Sequence, residues 1–185
     1  MEILQPSERT MMSAAQISCP EMSFLMEKTP EYATYLSEDN AIQAERSYRR
    51  ALGLVLKECG DRLLTTLESR SQILDSDHAR KIEALVDRIG LIFRRLDREG
   101  HVCLVGDRHA TIMELEELDM KLILMIEEAM TLVRGLGTDI PASSWFENEA
   151  GRLNRDLASF SEMAEERNYL LGLGWESEFT YGSTA

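Results

Sequence analysis

Apolar positions recur at helical spacing over most of the 185-residue chain. Asp39-Asn40 offers side chains that can cap a helix by accepting its orphan backbone N–H groups. Tyr48, Leu52, Val55 and Cys59 then follow at steps of 4, 3 and 4, and Leu63, Leu67 and Leu74 prolong the stripe. This predicts one long helix or two collinear ones. Gly60 is the natural place for a bend, since Gly inside a helix costs about 1 kcal/mol relative to Ala. Asp75-Ser76-Asp77 reads as a turn or a fresh N-cap. After it, Ile82, Leu85, Ile89, Ile92 and Leu96 step 3, 4, 3 and 4, with Val86 and Phe93 widening the stripe. That is the seam of a core-facing helix, ending near Arg98-Glu99-Gly100, where Gly can take the left-handed cap.

Beyond a short connection at His101–Arg108, Thr111-x-x-Glu114 has the spacing of a capping box. Leu115, Leu118, Leu122, Met125, Ala129 and Leu132 form one stripe, and Met120, Ile123, Ile126, Met130 and Val133 a second. A helix with two apolar stripes is buried on more than one side or covered by a partner, and Met120, Met125 and Met130 read as core filler. Gly135-Leu136-Gly137 closes it ahead of Pro141. Ser144-x-x-Glu147 is a second box, followed by Phe146, Ala150, Leu153, Leu157, Phe160, Ala164 and Leu171. Arg167 fills the skipped seam position, where its stem can pack while its head reaches water. Gly172-Leu173-Gly174 ends this helix.

No strand-length alternation interrupts these segments. The expectation is an all-α protein: an antiparallel four-helix bundle of long amphipathic helices over residues 39–172, because short links force neighbours to run in opposite directions. Residues 1–38 carry three of the four prolines and no sustained period. They read as a flexible N-terminal arm with one short helix around Met22–Lys28. Residues 173–185 form a short aromatic and acidic C-terminal tail.

Charge modifies this picture. With 20 Lys+Arg and 33 Asp+Glu, the net charge is −13. Residues 1–39 and 140–185 hold −5 each, leaving −3 for the 100 residues between them. A polyanion repels phosphate backbones and anionic lipid, so neither nucleic acid nor a membrane surface is expected as a partner. No window has the roughly 18 consecutive apolar residues of a membrane span, and the N-terminus lacks the basic start and apolar run of a secretory signal. Cys19, Cys59 and Cys103 are widely spaced and form no Cys-x-x-Cys pair, as expected of reduced thiols in a cytoplasmic protein.

Candidate chemistry is sparse. A di-iron bundle needs two Glu-x-x-His pairs, and only Asp75-x-x-His78 comes near that spacing. Catalytic Gly-x-Ser-x-Gly and strand-borne phosphate loops are missing. Cys103 between His101 and His109 reads as a chance loop neighbourhood. The expectation is therefore a non-enzymatic protein with no catalytic residue, cofactor or metal. His78-Ala79-Arg80-Lys81 does keep the His-x-x-Lys spacing of histidine phosphotransfer domains, in which an ammonium one turn on stabilises the phosphoryl group. Here Ile82 replaces the small Gly of that pattern, and Asp75 and Asp77 flank the imidazole.

Other features point to protein binding. Ten methionines is a high count, and Met11, Met12, Met22 and Met26 fall outside the expected core; such side chains suit adaptable interfaces. Trp175, Phe179 and Tyr181 stand among acids after the last helix, either folding back on the bundle or docking on a partner. Leu63-Leu64, Leu67-Glu68, Leu74-Asp75, Ile82, Leu85-Val86, Arg88 and Ile92, with the closing Tyr181-Gly182, resemble FlgN-type flagellar export chaperones. That resemblance implies a small acidic helical protein of the cytoplasm that holds an apolar helix of a secreted client. The N-terminal arm and the helix from Ser144 depart from the family pattern. The leading expectation is a helical adaptor or chaperone-like protein. The alternatives are a phosphotransfer bundle using His78 and a self-associating coiled-coil protein.

Overall fold

The computed structural model describes residues 19–97, 102–138 and 144–173, and every regular element among them is helical. The elements are α1 (Pro20–Glu27), a 3-10 turn (Tyr32–Leu36), α2 (Glu38–Ser69), α3 (Ser76–Leu96), α4 (Arg108–Thr138), one turn of π-helix (Trp145–Glu149) and α5 (Ala150–Leu170). Helix α2 packs on α3 and on α4, and α5 packs on the same two. None of the helices among the described residues is long and apolar enough to cross a membrane.

Helix α3 follows its sequence pattern closely. Asp75 caps it, its carboxylate accepting from Asp77 N (3.0 Å) and His78 N (2.8 Å). All five seam residues, Ile82, Leu85, Ile89, Ile92 and Leu96, are buried. In α2 the chain passes through Gly60 as one helix. Glycine serves close packing there: a Cβ at Gly60 would lie 3.6 Å from Ile89, and one at Gly53 would lie 3.0 Å from the Phe93 ring. Seven residues apart, the two positions lie on the side of α2 that α3 approaches.

Neither expected capping box forms. Thr111 is inside α4 and buried, its hydroxyl donating to Val105 O (2.7 Å) or Asp107 O (2.9 Å). Asp107 does the capping, its carboxylate accepting from Ala110 N at 3.0 Å. Ser144 already has helical backbone angles and makes no side-chain cap. The π-turn after it buries Trp145 and Phe146, and the Trp145 indole N–H donates to Leu132 O at 3.0 Å.

Part of the expected arm belongs to the core. Pro20 starts α1 at a position where its missing N–H costs nothing, and Cys19, Met22 and Leu25 are buried in the main apolar cluster. Of the four methionines expected outside the core, Met22 is thus inside it, Met26 is exposed, and Met11 and Met12 lie outside the described residues. Helix α5 ends as its glycine suggested. Gly172 adopts φ 71°, Leu173 N donates to Asn168 O (2.9 Å) and Gly172 N to Tyr169 O (3.0 Å), the paired pattern of a Schellman cap. Its last carbonyls accept from the connecting segment, Cys103 N to Leu171 O and Val105 N to Leu170 O, both at 3.0 Å.

Candidate functional site

The interior is divided. The main cluster fills the long stretch between the helices. A smaller one, containing Tyr35, Ala41, Val102, Leu115 and Leu171, gathers around the start of α2 and the end of α5. Along each helix, charged residues fall between the two: Glu45 and Arg49 on α2, Asp119 on α4, Arg167 on α5. All four are buried.

Arg167 is the hub. Its Nε and Nη2 donate to the two carboxylate oxygens of Asp119 at 2.5 and 3.1 Å, and Nη1 donates to Glu45. Nη2 also reaches the Tyr35 hydroxyl at 3.2 Å, and the guanidinium lies 4.9 Å from the centre of the Tyr48 ring. Arg49 donates to Glu45, to Asn168 Oδ1 (2.5 Å) and to Leu96 O (3.4 Å). Tyr35 and Tyr32 donate to Glu45 (2.8 Å) and Asp119 (3.1 Å). Asn168 Nδ2 finds no hydrogen-bond partner among the described residues. The expectation that the Arg167 head reaches water is thus overturned, because two carboxylates from other helices meet it in the interior.

Two guanidiniums and two carboxylates make the layer formally neutral. Burial alone would raise the Glu45 carboxyl, but the Arg167 and Arg49 charges outweigh it and hold Glu45 at about 2. At Asp119 burial prevails over Arg167, and the carboxyl sits above its ordinary range. Burial, with Asp119 or Glu45 nearby, lifts the Tyr32 and Tyr35 phenols. The layer is a packed, hydrogen-bonded unit suited to fixing helix register.

One edge of this layer opens into a cleft of about 360 Å³, where Glu45 and Arg49 form part of the floor. Leu54, Phe93, Leu96, Val102 and Leu173 supply apolar walls; Arg46, Arg50 and Lys57 along α2 bring positive charge and Asp97 negative charge, and Lys57 is paired with Asp61. Residues 46–57 contain four Arg/Lys and no Asp/Glu in a chain of charge −13. That local reversal was readable in the sequence, although the summed charge of residues 40–139 conceals it.

A second surface lies on α4. Met113, Met120 and Leu124 are 71%, 54% and 53% exposed. At 100° per residue they fall within about 40° of arc and form one row. The expectation that Met120 fills the core is therefore corrected: Ile126, Met130 and Val133 of the same stripe turn inward, while Met120 faces out.

His78 begins α3. Its Nδ1 lies 3.0 Å from Asp75, its ring stacks on Phe146 at 4.1 Å, and Lys81 donates to Phe146 O at 3.4 Å. Imidazole and ammonium are thus both engaged in joining the start of α3 to the π-turn. Trp175, Phe179 and Tyr181 lie outside the described residues. The chain matches no family model, and no curated protein or solved structure matches it either.

Proposed function

We propose that this is a non-enzymatic, cytoplasmic helical adaptor, chaperone-like in class, which binds an apolar helix of a protein client along α4. Its scaffold is read as an antiparallel four-helix bundle, α2 to α5, in keeping with the short links and with α2 and α5 each packing on α3 and α4. The observation that carries the proposal is the exposed Met113–Met120–Leu124 row. Adaptable thioethers in a row about 16 Å long suit one face of an amphipathic helix. The FlgN-type resemblance suggests the same class of client.

Charge favours a foreign helix over a second copy. Glu116 and Glu127 border the row on one side, Glu117 and Glu128 on the other, with Lys121 and Arg152 paired to Glu117 and Glu128. Two copies face to face would bring like charges together, whereas a client helix with basic flanks would be drawn in. Phosphotransfer draws no support from His78, whose nearest charge is a carboxylate that a phosphoryl group would have to displace.

The test compares wild type with the Met113→Ser/Met120→Ser/Leu124→Ser variant. All three side chains are exposed, so the variant should melt with the wild type. A client retained in fixed stoichiometry by wild type, lost by the variant and cross-linked to α4 through a basic amphipathic segment supports the reading. Retention of the same client by the variant contradicts it. A wild-type dimer in sedimentation that the variant abolishes would instead assign the row to self-association.

A further inference from the structure

The α4 row has acids on both flanks, but the flanks are not equivalent. At 100° per residue, with Met113 as zero, the row spans about −20° to +20°. Glu116 and Glu127 then lie at about −60° and −40°, and Glu117 and Glu128 at about +40° and +60°. On the second flank both carboxylates already hold a cation: Lys121 donates to Glu117 at 2.6 Å, and Arg152 reaches across from α5 to Glu128. On the first flank Glu116 and Glu127 have no cationic partner among the described residues. Of the Lys and Arg of α4, Arg108 and Lys121 fall on other sides of the helix. Arg134 lies seven residues past Glu127, beyond the end of the row, where its charge acts on Glu21 of α1.

We infer that the helix docked on this row, the reading just proposed and on which this one rests, carries its Lys or Arg on one flank only, about eleven residues apart, and that this flank fixes its direction along α4. The spacing follows from the acids. Glu116 and Glu127 are eleven residues apart, three turns or roughly 16 Å, and within about 20° of one another, so one straight helix can meet both. The direction follows from helix chirality. A helix lying parallel to α4 meets the Glu116 flank with its own positive-angle flank, and an antiparallel one with its negative-angle flank, as g meets e in parallel coiled coils and g meets g in antiparallel ones. Because the Glu117 flank is neutralised, a helix with cations on one side gains its ion pairs in one direction and forgoes them in the other.

The test uses 20-residue helical peptides with the same leucine stripe. Two carry a pair of lysines eleven apart, one peptide on each flank, and a third carries glutamines instead. All bear an N-terminal benzophenone, and salt is held near 150 mM, where charges beyond about 8 Å are screened. Both lysine peptides should bind wild type about fivefold more tightly than the glutamine peptide, the sum of two exposed ion pairs. The peptide with positive-angle lysines should cross-link at the Met113 end of the row and the other at the Leu124 end. Glu116→Gln/Glu127→Gln should bring both within twofold of the glutamine peptide. Lys121→Gln/Arg152→Gln frees the second acid pair, so it should keep the affinity and mix the cross-links. All four side chains are at least partly exposed, and unchanged thermal melting checks that the fold is intact. Cross-links of both peptides at one end, or an affinity gain that survives Glu116→Gln/Glu127→Gln, overturn the inference while leaving the row standing, provided Met113→Ser/Met120→Ser/Leu124→Ser abolishes binding. Peptides that ignore the serine variant, or that do not bind wild type at all, overturn the row and this inference with it. A wild-type dimer that excludes the peptides would give the row to a second copy and overturns both as well.

Discussion

The same long helices are held together by opposite means at two levels. Through the main cluster, α2 presents Leu56, Cys59 and Leu63 and α3 presents Ile82, Leu85 and Ile89, all apolar and all buried. Burial there pushes the Cys59 thiol up to about 12, as expected of a side chain that serves only as packing. About two to three turns toward the start of α2, the space is filled by Glu45, Arg49, Asp119 and Arg167. Apolar contacts are non-directional and accept swaps of similar volume, so by themselves they leave register weakly specified. A charged layer does not, because moving one helix by a turn strands a carboxylate. Bulk stability thus belongs to the first level and register to the second.

The sharpest way to break this division is to remove the hub. Arg167→Met leaves Glu45 and Asp119 without their shared cation, and the expected loss is about 3–5 kcal/mol, read by urea unfolding at neutral pH. Leu122→Ala, in the apolar level on the same helix as Asp119, should cost about 3 kcal/mol through lost burial and an unfilled cavity. A loss for Arg167→Met below about 1 kcal/mol, the range of a solvated surface pair, would mean that water reaches the layer and that the two levels are not distinct.

Acid should separate them as well. Glu45 is held at about 2 in the folded protein against an ordinary value of 4.5. A depressed folded value means that the unfolded chain binds the proton more readily, so this stabilisation is complete above pH 4.5 and is lost as pH falls toward 2. Asp119, raised by burial, has the opposite sign: its contribution to stability falls as pH rises from 3.8 through its folded value. Glu45→Gln should flatten the acid side of the stability profile, Asp119→Asn should steepen it, and Leu122→Ala should lower the whole curve without changing its shape.

Helix α3 could be read directly because its apolar positions keep one phase from Ile82 to Leu96 and one cap, Asp75, precedes them. Arg167 could not. Seam spacing identifies a face, but whether a cation there is buried depends on what opposes it, and Asp119 and Glu45 lie 48 and 122 residues away in sequence. A signal was nevertheless present, since Glu45, Asp119 and Arg167 each occupy a seam register, three before Tyr48, four after Leu115 and three after Ala164. The short helix near Met22 was legible, but its burial was not, because Met22 and Leu25 are too few to establish a period. On α4 both stripes were legible, but not which side chains would face outward: the neighbours decide that, and they leave Met113, Met120 and Leu124 uncovered.

The most direct test of the charged layer is a double-mutant cycle between Asp119→Leu and Arg167→Met, measured by urea unfolding at about pH 7. If the layer is one interlocked unit, either change alone leaves a partner buried and uncompensated, whereas the double variant removes both ends of the bidentate pair. The double loss should then fall short of the summed single losses by about 2–3 kcal/mol. Losses that add to within about 0.5 kcal/mol would show two independent side chains and contradict the account.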